Sequence, residues 1–162
     1  MQNTLGISLK TKLLGIAVFY NGELTDYRMR TFYGVWTQKK RSDIHATILK
    51  MIERYGIIAL SLKIPLPSHC SQSIHDIVDD IRELSEQLCI KLHICTISAL
   101  KGQYCDNTSG NRLLFSEAII RKYPHHRKLA QLYEIERNNR NPYHVKMFEA
   151  IACGELALKT LQ

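Results

Sequence analysis

The sequence predicts an α/β domain on a five-stranded mixed sheet, with three antiparallel strands first and helices on both faces. Three observations predict this class. Apolar β-type runs precede a tight-turn signal near residue 21. Two amphipathic helical stretches then alternate with short apolar runs, as in crossovers between parallel strands. The last third of the chain has helical periodicity throughout.

The first three strands are predicted at residues 5–8, 12–20 and 23–33. The first two runs are apolar with little alternation, which is typical of strands covered on both faces. Asn21 and Gly22 form the two-residue signal of a type I′ turn, because both central positions of that turn need a positive φ. A hairpin of the second and third strands is therefore expected.

A basic loop at residues 34–41 leads to the first predicted helix, which Ser42 is expected to cap and Gly56 to end. Apolar residues on one face of this helix keep 3.6-residue spacing. They are Ile44, Ile48, Met51, Ile52 and Tyr55. The apolar run 57–64 follows with the length of a buried strand, and two prolines close it.

A second helix is predicted from Ser73, since Ser73 and Asp76 have the spacing of a capping box. Residues 91–97 are the fifth predicted strand. The remaining predicted helices cover residues 111–123, 129–137 and 145–161. Gly154 in the last helix costs about 1 kcal/mol against Ala, which indicates a close backbone approach.

Composition limits the classes of protein. The 162 residues suit one domain spanning 1–162, and 22 Lys and Arg against 15 Asp and Glu give a formal charge of +7. A pI near 9.2 favours an anionic partner, and a mean hydropathy of −0.18 argues against disorder and against a membrane protein. Five scattered cysteines without a CxxC pair predict neither disulfides nor a zinc ribbon, and with no export signal they indicate a cytoplasmic protein.

Three stretches resemble the RuvC-type Holliday junction resolvases of the ribonuclease H-like superfamily, and the resemblance covers nearly the whole chain. LGISLKTKLLGIAVFYNGEL is similar to their first strand, turn and return strand. KLHICTISALKGQYC resembles their fifth strand, and NPYHVKMFEAIACGELAL their terminal helix. The resemblance implies a ribonuclease H-like fold, a nucleic-acid partner and, because a four-way junction has two symmetric cleavage points, a possible homodimer.

The resemblance also implies where a catalytic centre would lie. The family holds two divalent metals with an Asp on the first strand, a Glu on the fourth strand and acidic or His residues on the last helix. Those positions fall on Ser8, on Ser61 or Lys63, and on Glu149, with Lys146 one turn before Glu149. Only Glu149 keeps a carboxylate, and lysines repel divalent cations, so two-metal catalysis is not expected.

The sequence therefore predicts a degenerate, pseudoenzyme-type site that binds branched or structured DNA or RNA through a basic cleft, with no cofactor or metal. Lys63 and Lys146 would neutralise phosphate, and Lys101 matches a Lys that the family places by its substrate backbone. Further basic residues are predicted to add to nucleic-acid binding. They are Arg112, Lys39, Lys40 and Arg41.

Other interpretations stay open. An active Mg-dependent endonuclease would use Glu149 together with Asp26 or Asp43. A protein-interaction module would keep the fold for its surface alone, and Ser8, Ser61 and Glu149 would then be ordinary structural residues. Three tyrosines are candidates for stacking on bases or for packing. They are Tyr104, Tyr123 and Tyr143.

Overall fold

A computed structural model describes residues 2–10, 12–104, 112–138 and 143–160, without the side chains of residues 112–115. One five-stranded sheet has the strand order β3-β2-β1-β4-β5. Its strands are β1 (Thr4–Lys10), β2 (Leu13–Tyr20), β3 (Glu23–Thr31), β4 (Ala59–Lys63) and β5 (Lys91–Cys95). The first three strands pair antiparallel, whereas β4 is parallel to β1 and to β5. The predicted mixed sheet is confirmed.

The tight turn between β2 and β3 is also confirmed. Asn21 has a φ of 52° and Gly22 a φ of 83°, so both central residues adopt the left-handed conformation that a type I′ turn needs. From the turn, β2 and β3 pair from Tyr20 and Glu23 to Leu13 and Thr31, with one bulge between Val18 and Phe19. Strand β3 lies at one edge of the sheet.

Six helices complete the described part of the chain. They are α1 (Gln38–Tyr55), α2 (Gln72–Gln87), α3 (Ile97–Tyr104), α4 (Arg112–Lys122), α5 (Arg127–Arg137) and α6 (Val145–Thr160), with a 3₁₀ turn at Pro67–His69. Helices α1 and α2 bury their apolar stripes against one face of the sheet. On the other face, α6 packs on β1, β2 and β4, with α3 and α4 beside it. Within the described ranges, no helix is both long enough and apolar enough to cross a membrane.

Two predicted helix caps are wrong, although α2 starts near Ser73 as predicted. Helix α1 begins one turn before Ser42, at Gln38, because Thr37 is the N-cap and its side chain accepts a hydrogen bond from the amide of Lys40. Helix α2 begins at Gln72 after Ser71, so Ser73 lies buried inside its first turn. In both helices the N-cap is a different hydroxyl residue, Thr37 in α1 and Ser71 in α2. The end of α1 at Gly56, with a φ of 57°, is confirmed.

Glycines set the distance between α6 and the sheet. A Cβ on Gly6 would lie 2.1 Å from the carbonyl oxygen of Ala150, and one on Gly15 would lie 2.0 Å from that of Lys146. A Cβ on Gly154 would lie 2.5 Å from the ring of Phe19, and a Cβ on Gly6 would lie 2.9 Å from the backbone nitrogen of Gly154, so the predicted close backbone approach at Gly154 is confirmed. The backbone of α6 therefore rests directly on β1 and β2.

Candidate functional site

The candidate site lies where β1 and β4 end beneath α6. Ser8 on β1 and Lys63 on β4 are partners in the parallel register, near the carboxyl ends of their strands. The side chains of β1 alternate, so Ile7 and Leu9 enter the core under α1 and α2 while Ser8 faces α6. The carboxyl ends of strands in open α/β sheets are common ligand sites.

One carboxylate oxygen, Oε2 of Glu149, contacts three other side chains. Oε2 of Glu149 accepts a hydrogen bond from Oγ of Ser8 at 2.6 Å and another from Nζ of Lys146 at 2.8 Å. Nζ of Lys63 lies 3.1 Å from the same oxygen. The residues aligned with the family's metal-binding positions therefore converge, as a cluster that we call the lysine site (Ser8, Lys63, Lys146 and Glu149).

The lysine site carries excess positive charge with little water around it. The side chains of Lys63 and Glu149 are 6% and 3% exposed, and that of Lys146 is 16% exposed. Two ammonium groups face one carboxylate, so the cluster has a net charge of +1 when all three are ionised. Buried charges are normally paired, because removing an unpaired ion from water is costly. An external anion would complete the pairing.

The pKa directions agree with this charge balance. Burial alone would raise the pKa of Glu149, but the ammonium groups of Lys146 and Lys63 and the hydrogen bonds from Lys146 and Ser8 hold it below its usual value. Burial lowers the pKa of Lys146 to about 8; repulsion from Lys63 acts in the same direction, and attraction to Glu149 opposes both. Glu149 is thus ionised at neutral pH, and Lys146 loses its proton just above it.

Three residues of the lysine site, Lys63, Lys146 and Glu149, form part of the wall of a cleft of about 500 Å³. Lys10 and His69 also line this cleft. The rest of its wall is mainly apolar, formed by Leu9, Leu13, Pro65, Leu66, Ile74, Ile97 and Val145. Lys10 was missed by the sequence analysis, although its position two residues after Ser8 in β1 was a usable signal.

The residues of the lysine site do not fit a pair of divalent metals. Hard cations need several oxygen ligands, and here a single carboxylate is shared by two ammonium groups and a hydroxyl. Among the residues that the structure describes, no three His, Cys, Asp or Glu side chains are grouped so that they could hold a metal ion.

Contacts separate the two candidate residues on β4 and place Asp26 away from Glu149. The hydroxyl of Ser61 donates to the carbonyl of Cys153 at 2.7 Å, whereas Lys63 contacts Glu149, so Lys63 is the one of the two that joins the lysine site. Asp26 pairs across the hairpin with Val18, whose side chain lies in the core under α1, and Asp26 accepts from the Tyr55 hydroxyl at 3.2 Å. Asp26 therefore lies on the face opposite Glu149.

The other predicted basic residues whose side chains the structure describes do not join the lysine site. Lys40 contacts the carbonyls of Tyr33 and, at 2.6 Å, Val35, while Arg41 forms a two-pronged ion pair with Asp80 at 2.7 and 2.8 Å. Lys39 is exposed at the start of α1, and Asp43 is exposed further along that helix. Lys101 is half-buried on α3, and the side chain of Arg112 lies outside the described part of the structure.

The candidate stacking tyrosines have different surroundings. Tyr104 and Tyr123 are half-buried and donate their hydroxyls to the buried carboxylate of Glu155, which Nζ of Lys122 approaches to 2.9 Å. The exposed Tyr143 shares a 2.6 Å hydrogen bond with Thr31. The first two tyrosines therefore act in packing between helices.

Comparisons with known proteins support the fold. No protein-family model and no curated protein matches the sequence. Among solved structures, Thermus thermophilus RuvC aligns with a TM-score of 0.68 and 11% identity, over 95% of this chain and 92% of that one. RuvC of T. thermophilus in complex with a Holliday junction substrate aligns with a TM-score of 0.66 and 10% identity, over 96% and 91%. The yeast mitochondrial Holliday junction resolvase Ydc2 has a TM-score of 0.68 and 6% identity, over 95% and 76%. The chain thus has the ribonuclease H-like fold of the RuvC type.

Proposed function

We propose that this chain is a RuvC-like nucleic-acid-binding protein that binds branched or structured DNA or RNA through a basic cleft and has lost two-metal cleavage. The observation that carries the proposal is the excess cation of the lysine site, where Lys63 and Lys146 share the carboxylate of Glu149. A backbone phosphate at the cleft wall would accept from the ammonium group that Glu149 does not neutralise. Solved structures of the same fold include one bound to a Holliday junction, which adds support.

The proposal separates binding from metal dependence. Fluorescence anisotropy with a labelled four-way junction, a matched duplex and their RNA counterparts, at roughly 50 mM salt in EDTA, measures binding where electrostatic contacts are strongest. We expect the protein to bind the junction in EDTA, and the logarithm of its association constant to fall linearly with the logarithm of the salt concentration. Binding that requires Mg²⁺ would contradict the proposal. Lack of binding to all four probes would instead favour a protein-interaction module.

Replacing Glu149 by Gln distinguishes binding from catalysis. Gln keeps an acceptor oxygen for Ser8 but removes the negative charge that competes with phosphate, so we expect about three- to tenfold tighter junction binding at about pH 6, where Lys146 keeps its proton without the attraction of Glu149. Glu86→Gln, on the exposed side of α2, is the matched control for the change in net charge. If Mg²⁺ or Mn²⁺ supports junction cutting that Glu149→Gln abolishes, the active-endonuclease interpretation is correct.

Binding should depend on pH through Lys146. Its pKa of about 8 in the free protein should rise when a phosphate replaces solvent beside it, so binding takes up a proton. Affinity should then be full below pH 8 and fall as pH rises through that value, about tenfold between pH 7 and pH 9. Lys146→Arg cannot lose its proton in this range, so its pH profile should be flat. An equally steep profile for Lys146→Arg would assign the titration to another group.

A further inference from the structure

The loop between β3 and α1 presents two apolar side chains to solvent. Tyr33 is 80% exposed and Val35 is 82% exposed. Ile135, at 56%, comes next among the exposed large hydrophobic side chains of the described residues. Neither side chain gains from burial on folding, so burying the pair against a ligand would be favourable.

Tyr33 and Val35 face solvent because the residues on either side of them in the loop are packed against the core. Phe32 and Trp36 pack against the core, and the amide of Phe32 donates to the carbonyl of Lys12 at 2.9 Å. The ammonium group of Lys40 contacts the carbonyls of Tyr33 and Val35, and Gly34 between them has a φ of 79°. The exposed pair is thus held by a braced backbone.

This loop lies at the same end of the sheet as the lysine site. Thr31, the last residue of β3, pairs with Leu13, and Leu13 lines the cleft together with Lys10 and Lys63. Lys12 and Gly34 line a small cavity together with Trp36 and Lys40. Lys12 and Lys39 are both exposed around the loop, so the apolar tip is flanked by positive charge.

We infer that Tyr33 and Val35 bind an unstacked nucleobase, with Tyr33 stacking on its face, while the lysine site at the same end of the sheet binds a backbone phosphate. The inference rests on the proposed function and names its substrate class: nucleic acid with an unpaired base or an open branch point. Bases inside a continuous duplex are stacked on both faces and cannot offer one to Tyr33. Stacking on aromatic side chains is substantial and tolerant of sequence, so this loop adds affinity only where a base is unstacked, whereas the lysines contribute affinity for any backbone phosphate.

Tyr33→Ala and Tyr33→Phe test the inference on the full chain. Affinities are measured for a four-way junction and a matched duplex, and 2-aminopurine placed at the branch point reports stacking by its fluorescence. We expect Tyr33→Ala to weaken junction binding roughly 5- to 100-fold, with unchanged duplex affinity and salt slope, and to abolish the fluorescence change. Tyr33→Phe should behave like wild type. Tyr20→Ala is the matched control, because Tyr20 is exposed beside the hairpin turn at the opposite end of the sheet.

The outcomes separate this inference from the proposed function. Wild-type protein that binds none of the probes overturns both. Wild-type binding that Tyr33→Ala leaves unchanged, or weakens equally for junction and duplex, overturns only the stacking role. A change in sedimentation coefficient caused by Tyr33→Ala without nucleic acid would assign the loop to contact with a second copy of the chain, and would also overturn it.

Discussion

Lys63→Met is expected to weaken junction binding about 10- to 100-fold at low salt, and Lys146→Met should have an effect of the same size. In either variant the remaining lysine pairs with Glu149, so the net charge of the cluster falls from +1 to zero. Loss of one charge-assisted hydrogen bond costs about 1.5–3 kcal/mol, which corresponds to this range of affinity. Each variant retains a paired carboxylate, and its fold should survive.

The net charge of the lysine site in each variant predicts an order of junction affinity. Glu149→Gln combined with Lys63→Met restores a net charge of +1 to the cluster, as in wild type. Junction affinity should therefore decrease from Glu149→Gln, through wild type and the double variant, to Lys63→Met. Anisotropy titrations at one salt concentration measure all four proteins. Lys91→Met, on the exposed start of β5 at the other end of the sheet, is the matched control. A similar loss in Lys91→Met would show that only overall charge matters.

Glu149→Leu should have the largest effect on stability, lowering the free energy of unfolding by about 3–5 kcal/mol. Leucine cannot accept the hydrogen bond from Ser8 and leaves the ammonium groups of Lys63 and Lys146 together without a counterion. Urea unfolding at pH 7 followed by circular dichroism gives the difference directly.

A compensating variant identifies the cause of that loss. Combining Glu149→Leu with Lys63→Met and Lys146→Met removes the unpaired charges along with the carboxylate, and should recover most of the lost stability. If the triple variant is no more stable than Glu149→Leu, the loss comes from packing and the ion cluster is not its source. Because Glu149 has a depressed pKa, its stabilising contribution should be present above its usual pKa and lost as pH falls through the lower folded value.

Local sequence signals explain which parts of the fold were predictable. The Asn21 and Gly22 turn and the end of α1 at Gly56 depend on backbone conformations that few residues adopt, so the residue type identifies them. Helix starts are less specific, because Thr37 and Ser42 are both suitable caps and only the packing of α1 chooses between them.

Long-range ion pairs at the surface could not be predicted from the sequence. Arg41 pairs with Asp80, which lies 39 residues away on α2, and no local pattern reveals that pairing. Lys40 is similarly used to brace the loop that presents Tyr33. By contrast, Lys63, Lys146 and Glu149 were placed together through the resemblance, because the order of strands and helices determines which strand ends lie beneath the last helix.

The sheet separates two hydrophobic cores, one under α1 and α2 and the other under α6. On the α6 side, Gly6 and Gly15 bring helix and strand backbones into direct contact, so the spacing of the lysine site does not depend on the size of any intervening side chain. Repacking those residues of the α1 and α2 core that do not line the cleft should therefore change folding stability without moving the charges on the opposite face.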